Sequence, residues 1–346
     1  MKAIILKCRP GSRFHFGRAA MRQNDTLSDT DEIIHSDVLF GAFISAVARL
    51  YPEVEVLKWK KHFEEGNIAF SSAFYCVEYQ GKIVYLLPKP ISLNHFPLKT
   101  FDSIEGAHKK LKRIKFISKG IWEKQLTPDD WFSNDDICFS PESRVVCLKE
   151  EFGNDNVTYR LSEKMDTPKV KVRNISKEDT YYTQTDLVLV HDENISVHWY
   201  FLWENTGLDE EEKKQAEKII TLMAESGLGG ERSTGCGHIE EVVFDRSFAI
   251  NTDKLSEQYV SLSLIIPSAS EHQELIAYQT VQRGGMYYGA NKRVKSVIAT
   301  TEGAIIRSKI NGSIANLSTE DRNHWRYGIC FPIPLPDSFK LNECTL

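Results

Sequence analysis

The chain of 346 residues opens on an apolar run, Ala3-Ile4-Ile5-Leu6, between Lys2 and Lys7. The run extends to Arg9, stops at Pro10-Gly11, and reads as a strand rather than a signal peptide. A long polar connection follows, through Ser12-Arg13-Phe14-His15-Phe16-Gly17 to Asp31. At Ser36-Asp37 the period changes: Leu39, Phe40, Phe43, Val47 and Leu50 recur at helical spacing, and Tyr51-Pro52 ends the predicted helix. The run from Ile68 to Tyr79 is strand-like, and Gly81-Lys82 turns it into a returning strand, Ile83 to Leu87.

Residues 88 to about 200 have another texture, with short β-like runs, many turn residues and basic clusters. The densest cluster holds Lys109, Lys110, Lys112, Arg113, Lys115 and Lys119, and a second holds Lys164, Lys169, Lys171 and Arg173. This stretch is expected to be an inserted subdomain of hairpins, and the basic run a solvated face. The clearest helix spans Asp209 to Ser226. Asp209 suits the cap, Glu210, Glu211 and Glu212 suit the positive end of the dipole, and Gly227 suits the exit. Its apolar stripe is Ala216, Ile219, Ile220, Met223 and Ala224. A strand, His238 to Phe244, follows a glycine-rich loop.

With the insertion set aside, residues 1–246 read β-α-β-β-α-β, the order of a ferredoxin-like, RRM-like unit. Residues 247–346 read as a smaller β-rich domain, with strands at Val260–Ile266 and Tyr327–Pro332 and a pair formed by Val294–Thr300 and Ala304–Ser308. The expected fold class is α+β with two ferredoxin-like domains, the first complete and carrying the inserted hairpins, the second smaller and β-rich.

A net charge of −5 argues against indiscriminate coating of nucleic acid and requires any RNA-binding cations to be concentrated. No apolar run approaches the roughly 20 residues of a membrane span. The seven cysteines form no Cys-x-x-Cys, and free thiols in a cytoplasmic protein are the simplest reading.

The loop Gly227-Leu228-Gly229-Gly230-Glu231-Arg232-Ser233-Thr234-Gly235-Cys236-Gly237 is the most specific local feature. Glycine permits positive φ and close approach of another chain, and backbone N–H groups there can cradle an anion. A Walker loop would need Lys after Gly235, where Cys236 stands, and a dinucleotide loop would precede a helix rather than follow one. The preceding helix presents its negative end, so Arg232, Ser233 and Thr234 must supply the attraction. That favours a polynucleotide backbone over a nucleotide triphosphate; the plain alternative is a flexible connector. A second candidate, Gln282-Arg283-Gly284-Gly285-Met286-Tyr287-Tyr288-Gly289-Ala290-Asn291-Lys292-Arg293, mixes cations, tyrosines and glycines as RNA-holding segments do. Read alone it is a glycine-rich hairpin.

Several segments together resemble one family. They are Phe14-His15-Phe16-Gly17, Ser36-Asp37-Val38-Leu39-Phe40, Ser71-Ser72-Ala73-Phe74, Leu87-Pro88-Lys89-Pro90, Lys115-Phe116-Ile117-Ser118, the glycine loop, Arg283-Gly284-Gly285 and Arg326-Tyr327-Gly328. In order and spacing the chain resembles the fourth subunit of the type III-A CRISPR (Csm) effector complex, a branch of the RAMP superfamily of ferredoxin-like RNA binders. The resemblance implies a non-catalytic subunit that holds the repeat-derived 5′ tag of the crRNA, docks on the large polymerase-like subunit and contacts a backbone RAMP subunit. It calls for no cofactor, metal, membrane or small-molecule substrate. The RNA-binding residues it suggests are Gly227, Gly229, Gly230, Arg232, Ser233, Thr234, Gly235 and Gly237 of the loop, with Arg13, His15, Lys89, Arg173, Arg283, Lys292 and Arg293. After Val172-Arg173-Asn174 the sequence departs from the family pattern, since Glu178 and Asp179 follow.

His15 also admits a second reading. Metal-independent endoribonucleases of that superfamily use a histidine as general acid and base, and Lys7, Arg9 or Arg13 would stabilise the transition state. Its place between two phenylalanines favours a packed or stacking ring. His191-Asp192 resembles a metal-phosphohydrolase dipeptide without the partner residues, and Cys236 lacks the histidine that a nucleophile needs.

Overall fold

The computed structural model describes residues 1–17, 28–98, 106–153, 155, 157, 159–171, 180–250, 256–286, 293–320 and 323–340. Its first half contains β1 (Lys2–Lys7), β2 (Arg13–Phe14), α1 (Ser36–Leu50), α2 (Glu53–Glu64), β3 (Ala69–Phe70), β4 (Phe74–Tyr79) and β5 (Lys82–Pro88). Then come α3 (Ala107–Arg113), β6 (Phe116–Ser118), α4 (Lys119–Glu123), α5 (Pro128–Ser133), β7 (Ile137–Phe139) and β8 (Val145–Leu148). A long ribbon, β9 (Ser162–Lys171) with β10 (Thr180–Leu189), leads to β11 (Ile195–Glu204), α6 (Glu210–Glu225) and β12 (Glu241–Asp245).

A nine-stranded sheet organises this half in the order β12-β1-β11-β4-β5-β6-β8-β7, with β3 also on β11. β1 lies between β11 and β12, antiparallel to both, with Ile4 opposite Phe201 and Phe244. The side chains of Ala3, Ile4 and Leu6 are buried, so both faces of this central strand are covered. α6 begins at a capping box: Asp209 accepts from the Glu212 amide at 2.8 Å and Glu212 accepts from the Asp209 amide at 3.2 Å. Its buried face is the expected stripe, Ala216, Ile219, Ile220, Met223 and Ala224.

Several elements differ from the sequence reading. α2 is unexpected; Pro52 caps it, and Val56, Trp59 and Phe63 bury one face between charged residues. Leu50, placed in the α1 stripe, is 57% exposed at the helix end. The expected strand 68–79 is broken at Ser71–Ser72, two buried serines. The Ser71 amide bonds to Leu202 O at 2.9 Å, and the Ser72 amide to Leu262 O at 2.8 Å. The insertion placed at 88–200 is not a single hairpin subdomain. β6, β8 and β7 continue the main sheet beyond β5, and β11, begun inside those bounds, is the strand between β1 and β4. Among the described residues of this stretch, only β9 and β10 form a separate ribbon, which pairs β2 through Leu187–Phe14 and Val188–Arg13.

The second half contains β13 (Tyr259–Ser261), β14 (Leu275–Ala277), β15 (Thr280–Met286), β16 (Arg293–Thr300), β17 (Ile305–Ile306), β18 (Ala315–Asn316), β19 (Trp325–Arg326) and β20 (Pro332–Pro334). Its described residues include no α-helix, so the second ferredoxin-like unit expected there is not formed among them. The strand expected over 294–300 does not pair with 304–308: β16 pairs with β15, while β17 pairs with β13 and β14. The two halves share one core. Tyr327 stacks on Phe40 at 5.2 Å, meets Phe63 edge-on at 5.7 Å, and its hydroxyl accepts from the Phe70 amide at 3.1 Å. No helix among the described residues is long and apolar enough to cross a membrane.

Candidate functional site

The glycine loop is an ordered structure built on the segment after β1. Gly227, Gly229, Gly235 and Gly237 all have φ between 79° and 91°, which L side chains avoid. Two of them also need the missing Cβ. A Cβ on Gly229 would lie 2.6 Å from His15 O, and one on Gly237 2.2 Å from Leu228 O. The loop is fastened by the Gly230 amide to His15 O at 2.8 Å, Gly237 N to Arg13 O at 2.7 Å, and Leu228 N to Gly237 O at 2.9 Å. The flexible-connector reading therefore fails. The amides of Gly230 and Gly237 are likewise spent on carbonyls and are not free to cradle an anion.

What remains outward is a short tip. Arg232–Thr234 forms a single 3₁₀ turn, and Gly230, Ser233, Thr234 and Gly235 are exposed. A Cβ on Gly235 would meet nothing within 4 Å. Arg232 is half-buried, and its Nη1 donates to Ser226 O at the end of α6 over 3.4 Å. The guanidinium thus offsets the negative helix end that would otherwise repel an anion at the tip. Beside the tip, Lys169 Nζ of β9 lies 3.9 Å from Glu231, and the half-exposed Arg13 lies 3.8 Å from Asp186.

Under the loop the chain places polar groups that its local pattern does not announce. Asp186 and Gln184 of β10 are buried, and the Gln184 amide donates to Asp186 Oδ1 at 2.6 Å. Cys236 is also buried there, and burial raises its thiol pKa, with the Asp186 charge adding to the effect. His15 is 3% exposed, and its Nδ1 lies 2.9 Å from Thr185 O and 3.8 Å from Asp186; the rings of its neighbours Phe14 and Phe16 pack on Trp199. Its ring is thus enclosed by the chain, as a packing residue's is. The His15 carbonyl is what serves the loop.

The other proposed contacts are dispersed. Arg283 of β15 is buried, with Nε 3.0 Å and Nη2 3.1 Å from the two Asp37 oxygens and Nη1 3.2 Å from Asp31. Arg326 adds a bond to Asp37 at 2.9 Å. Arg283 is thus a buried clasp between β15 and the start of α1, not a free RNA contact, and the arginines hold the Asp37 carboxyl far below its usual range against the cost of burial. His35 extends this network to Glu302 at 2.8 Å. Lys89 points inward onto Leu111 O, and burial lowers its ammonium to about 7. It lines an open cleft of about 620 Å³ whose other charged walls include Lys112, Lys115, Asp31, Glu32 and Glu302. Arg173 and Lys292 lie outside the described residues, as does the side chain of Arg293, whose backbone opens β16 opposite Met286. The basic run at 109–119 is largely a solvated face: Lys109, Lys110 and Lys112 are exposed, while Lys115 pairs with Glu32 at 2.7 Å and Lys119 with Glu123 at 2.8 Å. Asp192 accepts from the Asn194 and Ile195 amides in a turn. No cluster of three or more metal-ligating side chains occurs among the described residues.

The clasped strands, β13 to β20, coincide with a known domain. Residues 254–335 match the CRISPR Csm4 C-terminal domain. Over that stretch the chain is similar to Csm4 proteins. It is 26% identical to the CRISPR system Cms protein Csm4 of Methanocaldococcus jannaschii, over 93% of this chain and 90% of that one. Its fold is similar to a chain of the crystal structure of the Csm3–Csm4 subcomplex in the type III-A CRISPR-Cas interference complex. The TM-score is 0.70 and the identity 21%, over 97% of this chain and all of that one. A chain of the Csm1–Csm4 cassette in complex with AMPPNP is also similar, with TM-score 0.55 and 18% identity over 97% and 98% of the two chains.

Proposed function

We propose that this chain is the subunit of a type III-A effector complex that holds the repeat-derived 5′ tag of the crRNA through the tip of its glycine loop. The reading rests on one observation: a loop locked by positive-φ glycines onto residues 13–16 projects an exposed tip of small side chains beside Arg232, Arg13 and Lys169. A tip of small side chains lets a phosphodiester chain approach closely, while the flanking cations supply attraction independent of sequence. The main sheet supports the RAMP reading. β1, α1, β4, β11, α6 and β12 follow as β-α-β-β-α-β, with strand order β12-β1-β11-β4, the fourth-first-third-second order of a ferredoxin-like unit. As in the Csm1–Csm4 and Csm3–Csm4 assemblies whose chains it resembles, a Csm1-type large subunit and a Csm3-type backbone subunit are the proposed partners, and the chain carries no catalytic step of its own.

The test is RNA bearing the repeat-derived 5′ tag titrated onto the purified protein. Arg232→Glu is expected to weaken binding about tenfold or more, roughly 1.4 kcal/mol, in a variant that remains folded by circular dichroism. It should also lower the slope of log K against log salt by about 0.7 for the lost phosphate contact. Equal affinity in a folded variant would remove the loop from the interface.

A further inference from the structure

We propose that Cys138 and Cys147 form a reversible redox-modification site, a dithiol that reacts with small disulfides of the glutathione class and closes into a cross-strand disulfide. The two residues face each other on β7 and β8, at the free edge of the main sheet. In the flanking pairs the Ser140 amide donates to Val145 O at 3.1 Å and the Lys149 amide to Asp136 O at 2.9 Å. Alternation along an antiparallel ladder makes 138–147 a hydrogen-bonded pair too, with Cα atoms about 5.5 Å apart. That separation lies within the range a disulfide spans. The sulfurs are 3.0 Å apart, closer than unbonded sulfurs in van der Waals contact, so bonding requires an approach of about 1 Å.

The two thiols differ in the way that such chemistry needs. Cys138 is half-buried and reachable, and the hydrogen bond from Cys147 lowers its pKa. Cys147 is buried, hydrogen-bonded to Cys138, and held protonated well above its usual range. Its sulfur also lies 3.6 Å from the Tyr159 hydroxyl. The Cys138 thiolate attacks one sulfur of the small disulfide, forming a mixed disulfide and expelling one thiolate, which takes up a proton. Cys147 then loses its proton and attacks the Cys138 sulfur, expelling the second small thiol. One protein disulfide and two small thiols result, and the two electrons pass to the reagent. The closed loop of residues 138–147 pins the edge strand, while excess reduced glutathione reverses both steps.

The experiment uses the native full-length chain incubated with oxidised glutathione, then blocked with an alkylating agent and digested with trypsin without reduction. Cleavage after Lys124, Arg144 and Lys149 separates the two cysteines into peptides 125–144 and 145–149. The expected product is those two peptides joined, present in most of the molecules and restored to alkylated thiols by excess reduced glutathione. In Cys147→Ala, Cys138 should stop as the glutathione mixed disulfide. If that variant misfolds, the wild-type digest decides alone. Quantitative recovery of both peptides alkylated and separate, or linkage of either cysteine to a third, would overturn the assignment.

Discussion

Asp37 shows at the scale of one residue why a cation in a promising segment is not a binding site. It is buried among Arg283 and Arg326, and both guanidinium groups are committed to it. Breaking a buried pair leaves a stranded charge, so Arg283→Met is expected to cost about 3–5 kcal/mol, read as the change in urea midpoint at constant slope. A loss below about 1 kcal/mol would mean that the clasp is solvated. His35 in the same network makes a pH prediction. Burial alone would lower its pKa, but Glu302 and Asp31 overcome that and raise it to about 9. A raised pKa gives stability that is complete below about 6.5 and is lost as pH climbs through 9, up to about 3 kcal/mol. Lys89 acts in the opposite sense, since its lowered pKa makes stability rise from about pH 7 towards 10. The informative quantity is therefore the difference between wild type and His35→Asn, which should shrink across pH 6.5–9.5; a constant difference would contradict the network. Glycine is the other residue-scale device. Gly229→Ala meets both a forbidden φ and a carbonyl at 2.6 Å, and should cost about 1–3 kcal/mol.

Among elements, legibility followed the range of the interactions. α6 was readable to the residue, because a capping box, a dipole-matched first turn and a 3.6-residue stripe are all local signals. α2 was not, because its three buried residues sit among alternating charges and Pro52 looked like an ending rather than a cap. β16 was assigned to the wrong partner: the short turn after Thr300 suggests a hairpin with 304–308, yet its real partner β15 lies across residues 287–292. The glycine loop's existence was plain, but its anchor was not, since the link from Gly230 to His15 crosses more than two hundred positions. Arg232 and the exposed tip were readable; Gln184 and Asp186 beneath them were not, because a strand's alternation says nothing about which polar group will be buried. The anchoring of the loop predicts slow amide exchange at Gly230 and Gly237, comparable with β1, measurable by hydrogen exchange. Exchange as fast as in exposed turns would restore the flexible connector.

For the whole molecule, the two halves do not have separate cores. Tyr327 fills the space between α1 and α2, the Ser72 amide bonds to Leu262, and Arg283 and Arg326 close on α1. A chain ending near residue 250 would expose Phe40, Phe63 and Phe70 and leave Asp37 uncompensated. It is expected to lack a cooperative unfolding transition, and a two-state melt of that fragment would show that the first half is autonomous. The shared core also fixes the glycine loop relative to strands β13 to β20, the geometry that the proposed RNA-holding role requires. The most direct measurement is ultraviolet cross-linking of the complex purified from its own host, followed by mass spectrometry of peptide–RNA adducts and sequencing of the bound RNA ends. Adducts within residues 226–237, on RNAs sharing one repeat-derived 5′ tag, are the expected result. Tagged RNA whose adducts map only to other surfaces of this chain, or only to its partner subunits, would contradict the assignment of the loop.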